Sequence, residues 1–230
     1  MIMITLAGAS SRFFNSGYEV VKYKLKYGEK TIIENILSYI PKQYHLIIAI
    51  NKIFNDYVFF ENLLNKMEFS NYQIIEINST KGQLETVFKV LEKAKFSEDE
   101  SLTVFNGDTI RKNYNWVFDK TDGIIEVFNG EGNHWSFIDN LKQITNIREK
   151  KRISNLCSDG LYFFKNASMI LSNYYMYKAT TTDELYISEF YNFLIEKGYK
   201  IEGRLISIDS LIFCGTPKEY NSSLKKRFKK

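Results

Sequence analysis

The chain has 230 residues, of which 44% are hydrophobic and 25% charged, and its formal net charge is +4 at pH 7. That balance excludes disordered and fibrous proteins, and a chain of this length buries roughly 70% of the surface its unfolded form exposes, so a core needs neither disulfides nor a structural metal. Cys157 and Cys214 are the only cysteines and neither sits in a Cys/His cluster, which excludes a zinc module and points to a reducing, cytoplasmic compartment.

The N-terminal MIMITLAGASSRFF has an apolar run with no basic region before it, too short to span a membrane, and turns polar from Gly8 to Arg12. It reads as a buried strand over Ile2 to Ala7. Ile32, Ile33, Ile36, Leu37 and Ile40 then recur at helical spacing. A strand over Leu46 to Ile50, a helix over Phe54 to Met67, a strand over Gln73 to Ile77, a helix over Leu84 to Ala94 and a strand over Leu102 to Phe105 follow. Continuous apolar strands are those buried on both faces, so the pattern predicts an α/β fold: a doubly wound, mostly parallel, Rossmann-like sheet with helices on both faces. From about residue 123 the strands shorten, to Ile124 to Phe128, Trp135 to Ile138, Ile144 to Ile147 and Leu161 to Phe164, with helices at Met169 to Tyr177 and Leu185 to Glu196. The second half is therefore a mixed, antiparallel extension. Only Pro41 and Pro217 occur and no Gly/Ser-rich linker is present, so one domain over 1–230 is expected. Lys225, Lys226, Arg227, Lys229 and Lys230 read as a solvated helix end, and neither nucleic acid nor a membrane is expected as a partner. With 16 Tyr and 18 Phe, aromatics are numerous enough to build a homodimer face.

In open α/β sheets, ligands bind beyond the carboxyl ends of the strands where strand order reverses. The loop after the first strand, Leu6 to Phe13, carries Gly8, Ala9, Ser10 and Ser11, small enough for backbone N–H groups to close on a phosphate, and Arg12 adds a forked cation. It is neither a Walker A loop nor a GxGxxG fingerprint. Asp108 follows the fourth strand, where a carboxylate can hold Mg²⁺. Asn106-Gly107 is also a hairpin signal that would make Asp108 a plain turn residue, but the unalternating LTVF before it favours a buried parallel strand. Gly82 and Gln83 open the helix after the third strand and could read the edge of a base, or Ser79 and Thr80 there could simply cap it. Arg148 to Arg152 is a charged run that, by itself, reads as an exposed turn.

LAGASSRF followed by GYEVVKYKL and GEKTIIENIL resembles the opening of nucleotidyltransferases that join an NTP to a phosphorylated metabolite. TKGQLETV (Thr80 to Val87), FNGD (Phe105 to Asp108), REKKRIS (Arg148 to Ser154), SDGLYFF (Ser158 to Phe164), ELYISEFYNFLIEKGYKI (Glu184 to Ile201) and CGTPKEY (Cys214 to Tyr220) match that family's landmarks in order, over nearly the whole chain. The resemblance implies a nucleotide-binding half over 1–122 and an acceptor-binding half over 123–230. It places Leu6, Ala7, Gly8, Ala9, Ser10, Ser11, Arg12, Lys22, Gly82, Gln83, Asn106 and Gly107 on the nucleotide. Arg12, Lys22 and Asp108 would be catalytic, with Mg²⁺ on Asp108. Glu149, Lys150, Gly160 and Glu184 would bind the acceptor. Two positions depart from the family: Val21 stands where a proline precedes the lysine, and Phe213 where a second metal-binding aspartate is common. The short LAG–SRF opening is most similar to cytidylyltransferases of surface-polysaccharide (capsule) gene clusters. That implies CTP over UTP or dTTP, and phosphoglutamine, phosphocholine or a sugar 1-phosphate as acceptor, unless the chain is an inactive nucleotide-binding regulator. His134 and Trp135 could line the acceptor pocket, although Trp135 also reads as core. No general base is required.

Overall fold

A computed structural model describes residues 1–97, 99–112 and 121–227. Lys229 and Lys230 of the basic tail lie outside the described residues, while Lys225, Lys226 and Arg227 form the last turn of a helix. The first half runs β1 (Ile2–Leu6), α1 (Ser11–Phe14), a 3₁₀ turn at Lys22–Lys24, β2 (Lys26–Tyr27), β3 (Lys30–Thr31), α2 (Ile32–Leu37), β4 (Leu46–Asn51), α3 (Tyr57–Lys66), β5 (Tyr72–Ile77), α4 (Gln83–Leu91), β6 (Leu102–Asn106) and β7 (Thr109–Arg111). The second half runs β8 (Gly123–Asn129), β9 (Ser136–Ile138), β10 (Ile147–Glu149), β11 (Leu156–Phe164), α5 (Ser168–Lys178), α6 (Ile187–Glu196), β12 (Ile201–Ile206), β13 (Leu211–Phe213) and α7 (Pro217–Arg227).

One sheet carries both halves, in the order β10-β9-β11-β6-β1-β4-β5, with β8 beside β11 and β12 beside β8. β1 pairs in parallel with both β4 and β6, and β4 in parallel with β5. Strand order therefore reverses at β1, and a crevice opens where the chain leaves β1 and β6. β11 joins β6 antiparallel, Leu161 opposite Phe105 through Phe164 opposite Leu102. Alternation along β1 explains its unbroken hydrophobicity: Ile2, Ile4 and Leu6 pack with α2 and α3, whereas Met3 packs with α4, α5 and α6 on the other face. The expected fold class is the observed one.

Local chemistry sets the boundaries. Thr31 begins α2 through a capping box, its hydroxyl accepting from the Glu34 amide while the Glu34 carboxylate accepts from the Thr31 amide. The helix expected from Phe54 starts instead at Tyr57, because the Asn51 side chain accepts from the Ile53 amide to form a 3₁₀ turn and Asn55 takes the left-handed conformation. The strand expected over Ile144 to Ile147 is displaced to β10. Ile144 is buried from a loop, so it carries the same apolar signal without strand geometry. The Asn106-Gly107 signal does not make a hairpin: β7 leaves the sheet and pairs with β13.

Candidate active site

A cleft of about 620 Å³ lies over the ends of β1, β5 and β6, and Arg12, Lys22 and Asp108 all line it. On the β1 side, Leu6, Ala7, Gly8 and Ala9 face the cavity with Arg12, whereas Ser10 and Ser11 do not. Ser10 instead builds the loop. It sits in the left-handed region with φ 53°, its carbonyl accepts from the Phe13 and Phe14 amides, and its hydroxyl lies 3.2 Å from the Lys22 amide. Buried Phe13 packs edge-on to Tyr18 and Tyr220, so α7 braces this turn from behind. Lys22 points across the cleft, its ammonium 2.5 Å from Asp108 Oδ2.

On the β5 side, Gly82 has φ 147°, and a Cβ there would stand 2.5 Å from the Leu185 carbonyl oxygen, so only glycine fits the close approach of this loop to the segment before α6. Gln83 lines the cavity with its amide nitrogen already engaged, 2.5 Å from Asn106 Oδ1 and 3.1 Å from Thr5 Oγ1. Asn106 and Gly107 form the floor beside Asp108.

The opposite wall belongs to the second half. A bulge in β11 between Ser158 and Tyr162 turns Gly160 to φ 88°, where a Cβ would fall 2.0 Å from Asn106 Nδ2. Glu149 faces the cavity and accepts from the Ser136 and Ser188 hydroxyls. Burial, and then the Glu149 charge, push the neighbouring Tyr162 hydroxyl up to about 12, so it remains a neutral donor. Lys150 is the exception among the residues expected to bind the acceptor. Held at φ 55°, it puts its ammonium on the Tyr186 hydroxyl at 2.6 Å, above that ring, in a second cavity of about 800 Å³ that shares Glu149, Glu184 and Tyr186 with the first. Glu184 accepts from that same hydroxyl.

Several lining residues went unassigned by sequence reasoning: Tyr186, Ser136, Gly215, Thr216 and Glu219. His134 and half-buried Trp135 do line the cleft. Phe213 lines it too, packed on Trp135 and Phe128. The carboxylate that the segment after β13 brings towards Asp108 is that of Glu219, because a Cβ on Gly215 would lie 3.2 Å from Asp108 Oδ2 and 3.3 Å from Glu219 Oε2. Thr216 fixes Glu219 through amide and hydroxyl contacts at 2.9 and 3.0 Å, and His134 approaches its other oxygen at 3.4 Å. The Thr216-x-x-Glu219 capping box with Pro217 at the first helical position is the signal in the sequence that could have found it.

Behind these carboxylates Cys214 is fully buried, and burial, then Asp108 and Glu219, push its thiol up to about 12. Cys157 is buried as well, and burial raises its thiol above the usual range. Both thiols are expected to resist a disulfide reagent at pH 8 in the native protein and to react fully once urea exposes them. Fast reaction of either without denaturant contradicts this burial. Because the folded chain keeps the Cys214 proton to about pH 12 while the unfolded chain releases it near 9, this group's contribution to stability is whole below pH 9 and declines as pH rises from there towards 12.

No protein-family model matches the chain, and no curated protein does. Among solved structures, a nucleoside-diphosphate-sugar pyrophosphorylase from Vibrio cholerae RC9 is 34% identical, covering 98% of this chain and 100% of that one, with a TM-score of 0.88. The chain belongs to the nucleotidyltransferase family. Two more distant structures share this nucleotidyltransferase's fold. They are the inositol-1-phosphate CTP transferase from T. maritima, at 11% identity, TM-score 0.75 and coverage of 98% and 94%, and a UDP-glucose pyrophosphorylase complexed with UDP-glucose, at 15%, 0.75, 99% and 98%. Among the described residues no helix is long and apolar enough to cross a membrane.

Proposed function

We propose that this nucleotidyltransferase moves CMP from CTP onto the phosphate of a small phosphorylated metabolite (phosphoglutamine, phosphocholine or a sugar 1-phosphate), releasing pyrophosphate, in surface-polysaccharide biosynthesis. The observation that carries the reading is that Arg12, Lys22 and Asp108 share one cleft whose far wall is Glu149, Gly160, Glu184 and Tyr186. An acceptor phosphate oxygen forms a bond to the α-phosphorus in line, as the bond to the bridging oxygen of pyrophosphate breaks. The acceptor phosphate is already ionised, so no proton needs removing. Charge accumulates on the departing pyrophosphate and the non-bridging oxygens, and fixed cations stabilise it. In this reading the backbone of Gly8 and Ala9, with Arg12, holds the β- and γ-phosphates, and Lys22 serves the α-phosphate. Glu149, Gly160 and Glu184 orient the acceptor, with Lys150 at the rim as its phosphate partner. Gly82 and the Gln83 side chain face the base. The LAG–SRF opening supports CTP.

The donor set suits Mg²⁺: carboxylate oxygens of Asp108 and Glu219 border a gap that a Cβ on Gly215 would fill. Mg²⁺ is commonly held by one or two carboxylates together with substrate phosphates, which is the role this pair would take. Bound there, Mg²⁺ would supply Lewis-acid stabilisation of the phosphoryl oxygens. Gly215→Ala is expected to crowd both carboxylates and raise the Mg²⁺ concentration for half-maximal turnover by about tenfold, a factor equivalent to about 1.4 kcal/mol. An unchanged Mg²⁺ dependence contradicts the assignment.

A second reading is a UTP- or dTTP-dependent sugar-1-phosphate nucleotidyltransferase; the 34% identical relative is a nucleoside-diphosphate-sugar pyrophosphorylase, which agrees with a sugar 1-phosphate acceptor under either reading. Four NTPs tested with Mg²⁺ against a panel of phosphorylated metabolites, read by liberated pyrophosphate, decide between them. Turnover with CTP supports the first reading and turnover with UTP or dTTP the second. Nucleotide binding without pyrophosphate from any pair overturns both in favour of an inactive regulator.

A further inference from the structure

Aspartate is a preferred helix N-cap because its carboxylate can accept from the free amides of the first turn. Asp56 stands directly before α3, yet its side chain makes no cap hydrogen bond. The carboxylate turns away, only 5% exposed, to the 3₁₀ turn at Lys22–Lys24: Oδ2 accepts from the Tyr23 hydroxyl at 2.5 Å and Oδ1 takes the Lys24 ammonium. Two aromatic rings of α3 complete the grip. Phe60 lies 5.5 Å from the ring of Tyr23, itself 1% exposed, and Phe59 lies 4.7 Å below the Lys24 ammonium. At its other end the turn is held by the Lys22 amide on the Ser10 hydroxyl. Lys22 is thus the one residue of the turn whose side chain points into the cleft, between two anchored flanks.

We propose that Asp56 is a positioning residue for Lys22: by fastening Tyr23 and Lys24 it fixes where the Lys22 ammonium stands against the transferring phosphate. The helix forgoes a cap to supply this anchor, a local loss of stability with a functional return. The inference rests on the reading of Lys22 given above.

The test is a double-mutant cycle with Asp56→Asn, Lys22→Ala and the pair, measured on the substrate pair that turns over fastest in the screen. Asp56→Asn is expected to lower kcat by roughly 10- to 100-fold, the cost of a small misplacement of a reacting partner, with the acceptor KM unchanged. On the Lys22→Ala background the same change is expected to cost nothing further, since its effect passes through Lys22. An equal fold-loss on both backgrounds assigns Asp56 a merely structural role and overturns the proposal. Wild-type kcat in Asp56→Asn beside a crippled Lys22→Ala overturns the positioning alone. Wild-type kcat in Lys22→Ala overturns the reading of Lys22, and the positioning with it. Should Asp56→Asn fail to fold, Tyr23→Phe removes one anchor and keeps the charge. Its expected result is a several-fold loss of kcat that vanishes on the Lys22→Ala background, and wild-type kcat again overturns the proposal.

Discussion

Lys22→Ala and Asp108→Ala are each expected to reduce kcat by about 10²-fold or more, because each removes one preorganised charge from the place where charge develops on the phosphoryl group. The two groups meet at 2.5 Å at the centre of the cleft, so the variants probe one constellation from opposite signs. Asp108→Asn keeps the shape and discards the charge. It should behave like Asp108→Ala if the carboxylate acts through a cation, and like wild type if Asp108 merely shapes the turn after β6. Pyrophosphate release under saturating substrates is the measurement, and near-normal turnover in both alanine variants defeats the assignment.

Arg111→Met is expected to destabilise the fold by about 3–5 kcal/mol, a large part of the roughly 5–15 kcal/mol that holds a typical domain together. Arg111 is 1% exposed and bridges Glu126 on β8 and Asp159 on β11, which are themselves 4% and 2% exposed. Removing the cation leaves Asp159, among the described residues, without a cation in the interior and Glu126 with only Arg204, 3.9 Å away, and the repulsion of the two carboxylates adds to their lost hydration. Adding Glu126→Gln and Asp159→Asn to Arg111→Met should recover much of the loss, since no buried charge then lacks a partner. Urea denaturation of the three proteins checks this, and a midpoint for Arg111→Met equal to wild type refutes it.

The first half of the chain was legible in the sequence because buried parallel strands announce themselves. Strands expected over Ile2 to Ala7, Leu46 to Ile50, Gln73 to Ile77 and Leu102 to Phe105 lie within a residue or so of β1, β4, β5 and β6, and the loops after β1, β5 and β6 line the cleft. What stayed hidden has physical causes. β7 and β13 are three residues each and, among the described residues, pair only with one another, too short for a periodic signal. Among the described residues β12 has β8 as its one neighbouring strand, so IEGRLI mixes Glu202 and Arg204 among its apolar residues. The direction of the Lys150 side chain depends on a left-handed backbone and on Tyr186, 36 residues away. Glu219 reaches Asp108 only because β13 and β7 pair across 100 residues of chain, and no spacing rule carries that information. Likewise Gln83 carries the residue type expected at the base, but its commitment to Thr5 and Asn106 is a tertiary fact.

If the proposed roles hold, the antiparallel seam between β6 and β11 makes the platforms for the two substrates neighbouring strands of a single sheet, about 4.8 Å apart. Main-chain hydrogen bonds, indifferent to side-chain identity, would then set how closely donor and recipient approach. On that reading a change of recipient is expected to fall on the wall built by Glu149, Lys150, Gly160 and Glu184, with Arg12, Lys22 and Asp108 left in place.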